Sequence, residues 1–208
     1  MIENKIDSLL ICTILVCLVL TIFYDKESFV THKIGDYYYK VYDEFNNSYD
    51  AAEILDSLNN DMLDLIKHLN KKYLTDPSFN DKNLIRGINQ LNKLYRPYNN
   101  IQENIPISSS DDTAYTINKG EIISICLRYL NDKDKFHDYN SLSFVILHEL
   151  AHVFSVTYDH DITFWKHFKF LLQEAIIIDV YKPVNYKLKP INYCGVEVKY
   201  NPLYDSSL

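Results

Sequence analysis

The chain has 208 residues, with 21 Lys and Arg against 28 Asp and Glu, for a formal net charge of −7. That length allows one domain with a sizeable core once an apolar N-terminal run is set aside. With no long Lys/Arg run, the acidic balance argues against strong non-specific nucleic-acid binding, which needs several phosphate-neutralising cations on one face.

The first element is apolar. Residues 9–23, LLICTILVCLVLTIF, are 15 consecutive uncharged residues, at the short end of the roughly 17–25 that span a bilayer. A cleaved signal peptide would be followed by small residues at the cut, and Tyr24-Asp25-Lys26 is a poor site. The segment therefore reads as a single-pass anchor. This divides the chain into a short tail (1–8), an anchor (9–24), a linker (25–35) and a domain (36–208). Lys5 on one side faces Lys26, Lys33 and Lys40 on the other, which leans the domain toward the cytosol.

YYYKVY at 37–42 is aromatic and β-branched and predicts a strand. Asp50 with Glu53 makes a capping pattern, and Ala51, Leu55, Leu58, Met62, Leu65, Leu69 and Tyr73 recur at helical spacing to about residue 74. A second amphipathic helix is expected over 81–95, stopped by Pro97. Residues 98–112 are polar and predict a loop. Lys119-Gly120 between 113–118 and 121–129 signals a hairpin. The charged stretch 131–139 reads as a loop with His137 exposed.

The helix expected over 140–156 carries His148-Glu149-Leu150-Ala151-His152 inside an otherwise apolar run. Positions four apart share a helix face, so the two imidazoles can grip one ion. Burying them with a carboxylate costs about 1–3 kcal/mol each unless something satisfies them. Zn2+ would do so, and Glu149 beside it could take a proton from water.

A catalytic zinc site needs a third protein ligand. His160 lies eight residues past His152. About four residues of extended chain after the helix reach back about 13 Å, enough to return it. Glu174, in the next helix, is the rival ligand, and its ordinary reading is a solvated helix residue. His167 reads as a surface or packing residue. Asp159 and Asp161 flank His160 and could cap the following helix or orient the imidazole. That helix is expected over 161–180. A short strand is expected at 195–200. Four cysteines without a C-x-x-C pair do not read as a disulfide scaffold, although Cys126 and Cys194 could pair.

The string HELAHVFSVTYDHDITFW resembles the WLM and SprT-like zinc metallopeptidases: H-E-L-A-H, a short loop, then a third His followed within a few residues by Phe or Trp. TAYTINKGEIISICLR (113–128) is similar to the hairpin that precedes the metal helix in that family, and the overall texture resembles WLM-like proteins of large DNA viruses. The resemblance implies a compact α+β zincin-like domain, helices packed on a small, mostly antiparallel sheet. It also implies His148, His152 and His160 as zinc ligands, Glu149 as general base, and a protein or peptide substrate lying along a strand of the hairpin. Asp161 stands where the family usually has Gly. The acidic charge and apolar N-terminus stand against the DNA-crosslink repair role of its best-known members. Tyr158, Tyr186 and Tyr193 are candidate oxyanion donors.

Overall fold

The computed structural model describes residues 29–95, 101–105, 113–155, 157 and 159–208. The expected anchor over 9–24 and Tyr158 lie outside these. Among the described residues, no helix is long and apolar enough to cross a membrane.

Nine short strands and four α-helices are described. The main sheet has five strands in the order β1-β2-β3-β5-β4. β1 (Phe29–Ile34) and β2 (Tyr37–Tyr42) form an antiparallel hairpin. Residues 29–34, assigned to the linker by sequence, are therefore part of the sheet. α1 (Ser48–Leu69) and α2 (Lys82–Leu94) form the crossover to β3 (Ile101–Asn104). That connection lets β3 lie parallel to β2, and β3 is also parallel to β5 (Ile122–Cys126). β4 (Ala114–Ile117) pairs antiparallel with β5 and forms the outer edge. The sheet is thus mixed rather than mostly antiparallel, because a two-helix crossover supplies the length a parallel pairing needs.

Helix starts follow local capping. Asp81 accepts from the backbone N–H groups of Asn83 and Leu84. Asp138 accepts from Ser141 at the start of α3 (Tyr139–Phe154), and Asp161 from Phe164 at the start of α4 (Ile162–Ile177). α1 begins two residues before the expected Asp50, because the Asn47 carbonyl already accepts from Ala51. Its apolar stripe, including Leu55, Leu58, Met62 and Leu65, is fully buried against the sheet residues Tyr39, Val41 and Ile101.

The stretch 131–139 is not a loop. β7 (Asp132–Phe136) pairs with β6 (Arg128–Tyr129). His137 is buried rather than exposed: its Nε2 accepts from the Cys194 N–H at 3.2 Å, and its ring packs on Tyr129 and Tyr193. β8 (Ile191–Tyr193) and β9 (Val196–Val198) form a tail hairpin. A disulfide from Cys194 to Cys126 ties that hairpin to the end of β5. Arg128, fully buried, donates to Glu103 at 2.6 Å and to the Lys133 carbonyl at 2.7 Å, joining β3 to the β6–β7 pair. The arrangement sets β4 beside α3, the helix that carries the H-E-x-x-H string.

Candidate metal centre

α3 is apolar on nearly every side, with Leu142, Ile146, Leu147, Leu150, Ala151 and Phe154 fully buried. Such a helix runs through a core rather than along a surface. His148 and His152 project from one stripe of it. After Phe154 the chain turns back. His160 stands just ahead of Asp161, the residue that caps α4.

This return brings the third imidazole to the other two. His160 Nε2 lies 3.0 Å from His148 Nε2 and 3.1 Å from His152 Nε2. Three neutral imidazole nitrogens this close cannot all satisfy one another, since each Nε2 is either a donor or an acceptor. A tetrahedral ion with bonds of about 2.0–2.1 Å needs ligand nitrogens roughly 3.3 Å apart, so the donor set suits zinc. Phe164 packs against all three rings, at 5.0 Å from His148, 4.4 Å from His152 and 4.7 Å from His160. Trp165 stacks on His160 at 5.7 Å.

Burial, reinforced by the neighbouring imidazoles, pushes His148 down to about 3 and His152 to about 4. Burial also lowers His160, against an opposing pull from Asp159. All three are therefore neutral at pH 7, the form that binds a metal.

Glu149 is buried on the adjoining side of α3, and its Oε2 accepts from the Thr116 hydroxyl of β4 at 2.8 Å. A cavity of about 250 Å³ opens over the three histidines and Glu149, bounded by Tyr115, Thr116 and Lys119 of the β4–β5 hairpin. A second cavity of about 320 Å³ shares His148 and Glu149 but is walled by Phe144, Val145, Trp165 and Val196.

Glu174 does not join the histidines. It is buried in a separate network, bonded by His68 at 2.8 Å, Lys72 at 2.9 Å and Tyr73 at 2.7 Å. It is neither a fourth group of the cluster nor a solvated helix residue. His167 is a packing residue whose Nδ1 lies 2.9 Å from the Ser155 hydroxyl. Tyr193 lines the second cavity, but its hydroxyl donates to the Cys126 carbonyl at 2.7 Å; Tyr186 packs on Phe144 away from the histidines. Sequence reasoning missed Thr116 and Lys119. Their only signal was membership of a hairpin next to the metal helix.

Residues 115–201 match the family model of the WLM domain. The chain is 35% identical over 126 residues to the uncharacterized protein R325 of Acanthamoeba polyphaga mimivirus, covering 57% of this chain and 63% of that protein. It is 40% identical over 97 residues to the uncharacterized protein 042R of Invertebrate iridescent virus 3, covering 47% and 58%. The chain thus spans less than two thirds of the length of either viral relative. A crystal structure of a Wss1 mutant from Saccharomyces cerevisiae shares the fold, with a TM-score of 0.50 over 67% of this chain and 88% of that one at 19% identity. The stretch that matches the WLM domain model thus takes in His148, Glu149, His152 and His160.

Proposed function

We propose that this protein is a zinc-dependent metalloendopeptidase, anchored in a membrane by residues 9–24. His148, His152 and His160 hold Zn2+, and Glu149 is the general base. The observation that carries the reading is the convergence of three neutral Nε2 atoms within about hydrogen-bond distance, beside a buried carboxylate that is not one of them. The WLM domain, of a metallopeptidase-like family, supports hydrolase chemistry.

When bound, zinc supplies Lewis acidity, polarising a carbonyl and lowering the pKa of water toward about 7. Glu149 accepts the water proton and returns it to the leaving amine. Thr116 fixes the carboxylate by donating to one of its oxygens. β4 is the sheet edge and borders the cavity through Ala114, Tyr115 and Thr116. An extended peptide can add there as a further strand, with its scissile carbonyl over the histidines. The Phe144, Val145 and Trp165 wall suits apolar side chains. The net charge of −7 supports a protein rather than a nucleic-acid partner.

The membrane assignment rests on the 15-residue uncharged run. The Cys126–Cys194 disulfide favours an oxidising side of that membrane, because cytosolic thiols are kept reduced. This weighs against the cytosolic lean of the lysine count. A non-catalytic zinc module is the competing reading. Structural zinc sites fill all four positions, typically with Cys, and do not need an adjacent carboxylate.

The test uses the full chain in detergent, with zinc content and casein cleavage measured for the wild type and Glu149→Gln. The expected result is equal zinc and a loss of cleavage of about 10²–10⁴-fold. Zinc retained with no Glu149-dependent cleavage would favour the module. A chain that takes up no zinc would end both readings.

A further inference from the structure

The turn between β4 and β5 lies against the metal helix. Asn118 and Lys119 both adopt left-handed backbone, at φ 48 and φ 59, and Gly120 follows at φ 106. A Cβ on Gly120 would lie 3.1 Å from the Val153 side chain of α3 and 3.3 Å from the Leu94 carbonyl at the end of α2. The turn is therefore seated on two helices, and its two non-glycine left-handed residues carry a conformational cost.

That conformation aims the Lys119 ammonium at the end of α3. Nζ donates to the carbonyls of His152 at 3.3 Å, Ser155 at 2.9 Å and Thr157 at 2.5 Å. The first belongs to His152, a member of the cluster itself, the second to the C-cap of α3, and the third to the return loop that leads to His160. The last carbonyls of a helix have no partner within it and carry partial negative charge, so a cation there is favoured. An ammonium has three N–H groups, and the carbonyls of His152, Ser155 and Thr157 all lie within their reach. Lys119 borders the cavity, yet its donors point at the backbone and not at a substrate.

We propose that Lys119 is a positioning residue for the metal centre. Its ammonium clamps the end of α3 to the return loop, and so holds His160 in register with His148 and His152. No other side chain in the described residues bonds to the carbonyls of both His152 and Thr157. The inference deepens the proposed function and rests on its reading of the three histidines as metal ligands.

A double-mutant cycle in the full chain tests it. Lys119→Met keeps the side-chain length and the backbone cost but removes the donors. Zinc affinity is measured by chelator competition for the wild type, Lys119→Met, His160→Ala and the double variant. Loss of an orienting partner typically weakens metal binding about 10–100-fold. That loss is expected for Lys119→Met in the wild-type background, and less than about threefold once His160 is gone. Equal losses in both backgrounds, or no loss in either, would overturn the proposal.

A second readout needs no metal. Trp165 is the chain's single tryptophan and stacks on His160. In metal-free protein, Lys119→Met should raise acrylamide quenching of Trp165 toward the His160→Ala value. Unchanged quenching would overturn the positioning role. A chain that binds no zinc but shows the quenching change would instead overturn the metal reading alone.

Discussion

Burial does most to set the chemistry of the histidine cluster. An imidazole in water titrates near 6.5, whereas burial and the adjoining rings bring His148 to about 3 and His152 to about 4. Below pH 6.5 the unfolded chain therefore takes up protons at these positions before the folded chain does. By linkage, the stabilising contribution is fully present above 6.5 and is lost as pH falls toward the folded values. The metal-free protein should lose stability between pH 7 and pH 5. His148→Leu, having no proton to gain, should show a shallower loss. Urea midpoints in EDTA at the two pH values check this, and parallel slopes for both proteins would show that His148 titrates normally. At this scale the sequence was informative because the signal is local. His148, Glu149 and His152 sit within one helical turn and a half, and the return distance to His160 is a matter of chain length. Glu174 was not legible, because its partners His68, Lys72 and Tyr73 lie more than a hundred residues earlier. Only the packing of α4 against the end of α1 brings them together.

Elements were legible where their determinants are contiguous. α3 and α4 announce themselves through apolar runs and the caps Asp138 and Asp161. β1, β3 and β7 did not, being short and in part polar. β3 reads IQEN, and it is a strand because Gln102 pairs with Lys40 on one side and Ser124 on the other. A parallel register of this kind has no turn to mark it. Helix–helix contact was equally hidden. Gly87 of α2 faces α3 so closely that an added Cβ would lie 2.1–2.5 Å from carbons of the Phe154 ring. In an open helix, Gly→Ala is stabilising by about 1 kcal/mol. Here the added methyl must displace a buried ring, and overpacking of this kind costs about 1–3 kcal/mol. Gly87→Ala should therefore lower the urea midpoint, and Phe154→Leu should recover part of the loss. A rise in the midpoint would mean that α2 and α3 separate without penalty.

Across the described residues, the main sheet and the four helices enclose one continuous core, and the tail hairpin, which contributes Tyr193 and Cys194 to that core, is also tied to it by a covalent link. Cys126 and Cys194 are 68 residues apart. Closing a loop of that length restricts the unfolded chain by about 4 kcal/mol in the chain-entropy view. The link spans the segment that contains all three histidines and Glu149, yet the hairpin that it ties down borders the apolar cavity, where Val196 and Val198 form part of the wall. Two consequences separate. Cys194→Ser should reduce unfolding free energy by about 2–4 kcal/mol, read from denaturation under non-reducing conditions. If the three histidines hold zinc as proposed, zinc content should stay at the wild-type level, because they are carried by α3 and the segment ahead of α4. With the wall loosened, the proposed peptidase activity should show a raised KM for peptides bearing large apolar side chains, while KM for glycine-rich peptides changes little. A variant that lost zinc in parallel with stability would show that the hairpin supports the histidine cluster itself and not only the cavity beside it.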